Sequence, residues 1–144
     1  MKQLLTFCLL LLGTLVIAQS TTSPAGRWQT LDDETGEVKS IVEIYETSKG
    51  KFEGKIVEIL TNNKNAVCDK CEGAQKGKPM LGLVIITDLK PKSDYWANGT
   101  ILDPQKGSTY GLSAWYEDGN ANTLYIRGKH WTGLYRTQEW TRAK

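Results

Sequence analysis

Imidazole is almost missing from this chain: His130 is the one histidine in 144 residues. Histidine-centred chemistry therefore has little to stand on. A nucleophile and its base would have to converge on that single ring, and a histidine-rich metal site has no second ligand. Runs of like charge are absent too, since Lys and Glu are scattered singly, so neither nucleic acid nor an anionic membrane surface is indicated as a partner. No segment repeats at a fixed period of the kind that builds solenoids and propellers. Beyond the N-terminal leader, no ten-residue stretch carries the spacing of an amphipathic helix, which argues against helical bundles and against α/β folds.

What is present begins with that leader. Lys2 precedes an apolar run from Leu4 to Ile17, with short residues up to Ala18 and then Gln19. This is the layout of a secretory signal peptide over residues 1–18. The run is shorter than the roughly 20 residues of a spanning helix, so no stable membrane insertion is expected once it is removed. Cys8 lies inside the run instead of following a small residue at the cut, which speaks against a lipid anchor. Cleavage would lower the formal charge from +2 to +1, by loss of Lys2, and leave Cys68 and Cys71 as the remaining thiols. Length then favours one domain, at residues 26–144, behind a polar linker at 19–25. Its place is exported, periplasmic or secreted.

The domain reads as eight short strands. Gly26 to Leu31 carries Trp28, and Asp32-Asp33-Glu34-Thr35-Gly36 supplies hairpin-loop chemistry. Val38 to Glu46 is rich in β-branched residues. Phe52, Gly54 and Ile56 alternate with Lys51, Glu53 and Lys55, the period of a half-buried antiparallel strand, and Gly54 is a place for a bulge. A polar break from Thr61 to Pro79 holds both cysteines. Met80 to Leu89 reads as the most buried strand, followed by a turn over Lys90-Pro91-Lys92-Ser93-Asp94. Tyr95 to Leu102, Ser108 to Glu117, Leu124 to Gly128 and Tyr135 to Arg142 complete the set, with turn residues at each junction. Eight antiparallel strands in up-and-down order can close into a barrel with room for one small ligand; a two-sheet β-sandwich is the alternative.

Three groups of residues could carry chemistry. Cys68 and Cys71 fit a structural disulfide in an oxidising compartment, closing a four-residue loop for about 2 kcal/mol; a redox pair or half of a metal site are the alternatives. Asp103, Tyr110 and Arg127 could form an acid, a donor and an anion clamp, against the plainer reading that Asp103 caps its own Asp-Pro turn. Neither they nor His130 amounts to a catalytic set, and no pattern calls for a cofactor. The third group is aromatic: Tyr45, Trp96, Tyr110, Trp115, Tyr125 and Trp140, interleaved with Arg127 and Gln138. A barrel pocket is lined in that manner by aromatics with a few polar groups, so Tyr45, Trp96, Tyr110, Trp115, Tyr125, Arg127 and Trp140 are the candidate ligand-binding residues. Period two alone does not say which face is inward. The expected function is binding of a small apolar or amphipathic molecule, with a non-catalytic envelope protein or partner-binding module as the alternative.

Several stretches, taken in order, resemble a bacterial exported family known as domain of unknown function 2147. They include Gly26-Arg27-Trp28-Gln29-Thr30, Ser40-Ile41-Val42-Glu43-Ile44-Tyr45, Gly54-Lys55-Ile56-Val57, Cys68-Asp69-Lys70-Cys71, Lys78-Pro79-Met80-Leu81-Gly82, Ile101-Leu102-Asp103-Pro104, Arg127-Gly128, and Arg136-Thr137-Gln138 with Trp140 and Arg142. Lys129 to Tyr135 departs most, because that family has a smaller, more apolar connection there. The resemblance implies a lipocalin-like barrel. It also implies that Trp28 is covered by an arginine near the end of the last strand, with Arg142 as the counterpart and Arg136 as second choice.

Overall fold

The computed structural model describes residues 22–144; the leader expected at 1–18 lies outside the described residues. The fold is an eight-stranded antiparallel barrel closed in sequence order. Its strands are β1 (Gly26–Leu31), β2 (Val38–Glu46), β3 (Phe52–Ile59), β4 (Val84–Lys92), β5 (Tyr95–Asp103), β6 (Ser108–Trp115), β7 (Thr123–Lys129) and β8 (Tyr135–Arg142). The helical content among the described residues is one short 3-10 turn, Gly73–Gln75.

Period two decides what fills the barrel. Trp28 and Thr30 on β1, Val42 and Ile44 on β2, Phe52 and Ile56 on β3, and Leu124 and Ile126 on β7 are all buried, while their immediate neighbours on β1, β3 and β7 are more exposed. Register shifts between Ile41 and Val42, and on either side of Gly54, bend β2 and β3 around the core. Gly99 on β5 is a packing requirement, since a Cβ there would lie 2.9 Å from the Leu89 backbone and press on its side chain.

The fourth strand differs from the sequence expectation at both ends. Met80 to Leu83 is not strand: the Gly82 N–H donates to the Ile56 carbonyl at 2.7 Å, the Leu83 N–H turns back to Met80, and Gly82 takes a positive φ of 85°. Leu81 is accordingly 53% exposed, so the apolar run overstated its burial. Conversely, Lys90, Pro91 and Lys92 pair with Ala97, Trp96 and Tyr95, and the turn shrinks to Ser93 and Asp94. Pro91 is tolerated because it is exposed and close to the hairpin end.

The long connection between β3 and β4 is pinned rather than loose. Cys68 and Cys71, both buried, stand at disulfide distance with Cα atoms 5.3 Å apart. Backbone bonds from Cys68 N–H to the Lys78 carbonyl and from Gly77 N–H to the Cys68 carbonyl tighten the loop. It packs on the β5–β6 turn so closely that a Cβ on Gly107 would collide with the Lys70 carbonyl.

Candidate functional site

The two ends of the barrel are built differently. At one end Trp28, fully buried, donates its indole N–H to the Pro24 carbonyl at 2.9 Å. The Arg142 guanidinium lies over its ring, 4.2 Å from the centroid. Arg142 is itself held by the Ala121 carbonyl at 2.9 Å and the Tyr116 hydroxyl at 3.3 Å, and Tyr116 donates to the Ser23 carbonyl. Trp96 meets Phe52 and Tyr116 edge-on, at centroid separations of 6.5 and 5.5 Å. Desolvation raises the Tyr116 hydroxyl above its ordinary pKa, so it stays a neutral donor and acceptor beside Arg142. These rings, with Arg142 over Trp28, pack together as the floor of the barrel.

The other end opens into a cavity of about 490 Å³, within the roughly 300–1,000 Å³ usual for small-molecule sites. Its wall is aliphatic, from Ile56, Ile85, Ile101, Leu102 and Ile126, with Trp140 at depth. Inside, the Thr30 and Ser40 hydroxyls satisfy each other at 2.6 Å. The charged residues of the lining are Asp33, Lys39, Asp103, Lys106 and Arg136, which form the rim beside Tyr110, His130 and Tyr135.

One polar chain runs down the wall. Arg136 Nη1 meets Asp33 Oδ2 at 2.9 Å, and its Nη2 donates to the Asp33 backbone carbonyl at 3.2 Å. The other Asp33 oxygen accepts from the Gln138 amide, whose own oxygen accepts the Trp140 indole N–H at 2.8 Å. Arg136, Gln138 and Trp140 share the inward face of β8, and Asp33 arrives from the β1–β2 loop. Asp103 is used locally: one oxygen caps the backbone N–H groups of Gln105 and Lys106, and the other faces Lys106 Nζ at 3.8 Å. Among the described residues no carboxylate pairs with Lys39.

The sequence-derived ligand residues are not brought together. Tyr110 and Trp140 line the cavity. Trp96 is inside the barrel but in the floor. Tyr45, Trp115, Tyr125 and Arg127 are on the outer wall and do not line the cavity. Tyr45 donates to Glu53 at 2.8 Å with Lys55 over its ring. Trp115 stacks on Tyr125 at 5.6 Å, and Arg127 spans the rings of Trp115 and Tyr135 at 4.9 and 4.3 Å. The reason is parity: on β7 the aliphatic Leu124 and Ile126 take the interior, which turns Tyr125 and Arg127 outward. The cavity also takes in the aliphatic wall, Asp33, Lys39 and Arg136, which were not among the sequence-derived candidates. Gln138, interleaved with the aromatics in the sequence, does line it, and counting in twos puts Arg136, Gln138 and Trp140 on one face of β8.

Among the described residues no group of three His, Cys, Asp or Glu is arranged to hold a metal ion. Cys68 and Cys71 lie outside the cavity lining.

The sequence profile of an uncharacterized protein conserved in bacteria, DUF2147, matches residues 26–142. The chain belongs to this family. For DUF2147 the match spans all eight strands, from Gly26 at the floor to Arg142 over Trp28. Among solved structures, the barrel is similar to protein HP1028 from the human pathogen Helicobacter pylori, which belongs to the lipocalin family. The TM-score is 0.72 at 20% identity, over 85% of this chain and 84% of that one, a likeness of fold alone. No curated protein sequence matches the chain.

Proposed function

We propose that this DUF2147 barrel is an exported protein that binds a small apolar or amphipathic molecule in the cavity. One observation carries the reading: a cavity with aliphatic walls is sealed at one end by Trp28 and Arg142 and open at the other through a polar rim. Such a site rewards burial of an apolar chain at about 25 cal/mol per Å² and keeps polar atoms where water or the rim can satisfy them. Export is supported by the leader pattern at residues 1–18 and by the cysteine pair at disulfide distance.

Native mass spectrometry of protein purified from its own host is the direct test, with a bound small molecule as the expected result. As a control, Ile126→Trp puts an indole into free volume. It should abolish binding of dodecan-1-ol and change the unfolding midpoint little, because the added ring projects into the cavity and not into packed side chains. A variant that binds the alcohol as well as the parent would remove the cavity from the argument.

A second reading, a partner-binding envelope protein, is favoured by the β7–β8 hairpin. There Trp131, Leu134 and Tyr135 are 89%, 76% and 63% exposed, an unusual cost for large apolar side chains. Trp131→Ser separates the two readings, because Trp131 does not line the cavity. Ligand binding unchanged, with loss of a cross-linked partner in the native host, favours the second.

A further inference from the structure

Within the ligand-binding reading, on which this inference rests, the rim restricts the head group. A charge could not be carried down to the aliphatic wall without a partner, so any charged end of a ligand must stay at the mouth. The mouth holds three cations, Lys39, Lys106 and Arg136, against two carboxylates, Asp33 and Asp103. Both carboxylates are already engaged. Asp33 is taken up by Arg136 and Gln138, and Asp103 by the backbone of its own turn and by Lys106. A cationic head group would have to break one of those sets to find a counter-charge.

An anionic head group meets the reverse situation. Lys39 has no carboxylate partner among the described residues. Arg136 commits two contacts to Asp33, while a guanidinium offers five N–H donors, and its side chain is 55% exposed to the cavity mouth and solvent. The Tyr110 ring stands at the same rim, 6.2 Å from the His130 ring. Folding thus collects on one opening the cations that the sequence scatters singly.

We propose that the cavity selects a single-chain amphiphile with an anionic head group, carboxylate or phosphate, held at the rim by Lys39 and Arg136 with its apolar chain against Ile56, Ile126 and Trp140. Asp33 is then the resident counter-ion that keeps Arg136 aimed across the mouth when no ligand is there.

The test is calorimetric titration of the full, leader-cleaved protein with four ligands of equal chain length, the ionic ones below their micellar concentrations and the alcohol below its solubility: dodecanoate, dodecyl phosphate, dodecan-1-ol and dodecyltrimethylammonium. At least one anion should bind about tenfold more tightly than the alcohol, and the cation more weakly than either. The better anion identifies the source of the head group. Lys39→Gln combined with Arg136→Gln should remove that preference, bringing the anions to within about twofold of the alcohol measured on the same variant. Lys39→Gln alone, at a residue without an ion-pair partner, should show part of the loss with an unchanged melting temperature. Alcohol or cation binding as tightly as both anions would overturn the head-group assignment while leaving the cavity reading intact. Failure of all four to bind would overturn both.

Discussion

The floor and the mouth of this barrel are made from the same eight strands with the same alternation, yet one is solid and the other hollow. The difference lies in side-chain size at equivalent inward positions. Toward the floor these are Trp28, Phe52, Trp96 and Tyr116, rings in mutual contact, with Trp96 edge-on to Phe52 and Tyr116 and Trp28 tilted against Tyr116. Toward the mouth they are Thr30, Ser40, Ile56 and Ile126, which cannot reach the centre. Large rings thus fill one end, and the other keeps the cavity.

The largest effect that would break this contrast is at Trp28. Trp28→Ala should cost about 3–5 kcal/mol in denaturant unfolding, by loss of buried area and a residual cavity. If the ends are independent, the affinity for dodecan-1-ol should stay within about twofold of the parent. Loss of binding in a variant that is still folded would show that the floor shapes the mouth.

A smaller effect separates the two arginines of β8. Arg142→Ala removes the cation over Trp28 and the ties to Ala121 and Tyr116, for about 2 kcal/mol. Arg136→Ala breaks a partly exposed ion pair and should cost no more than about 1 kcal/mol. Equal losses in parallel urea melts would contradict the assignment of closure to the floor.

The smallest effect is acid sensitivity. Backbone N–H groups of Thr35 and then Glu34 hold the Asp32 carboxyl below its ordinary range, and the hydrogen bond from Lys51 does the same for Asp88 on the outer wall. A carboxyl whose native pKa is depressed stabilises the fold above the unfolded value of about 3.9. That contribution fades as pH falls through the lowered native value. Asp32→Asn should flatten this acid limb of a stability profile slightly, through the loop that carries Asp33; an unchanged limb would assign the acid response elsewhere.

The architecture was legible because short alternating strands and turn chemistry are local signals. β1, β2 and β8 have the bounds their residues suggest, and the family follows from stretches spread along the domain. The site was less legible for two reasons. Aromatic residues such as Trp115 and Tyr125 satisfy an outer-wall ladder as well as a pocket, so composition favoured the wrong face for them. The rim is also a tertiary product: Asp33 and Gln138 are 105 residues apart and meet only when the barrel closes. Met80 to Leu83 misled in another way, because apolar character there serves a turn packed on β3.

That closure is uneven. β1 and β8 are registered over two residue pairs, Trp28 with Arg142 and Gln29 with Thr141, both near the floor. Higher up, the wall between them is fastened by Asp33 and Arg136 instead of by a backbone ladder. The barrel is thus riveted at its base and buttoned at its lip, and the button is electrostatic. Dissolved salt weakens a partly exposed charge pair and leaves backbone ladders largely untouched. Raising the ionic strength should therefore loosen the lip before it loosens the base.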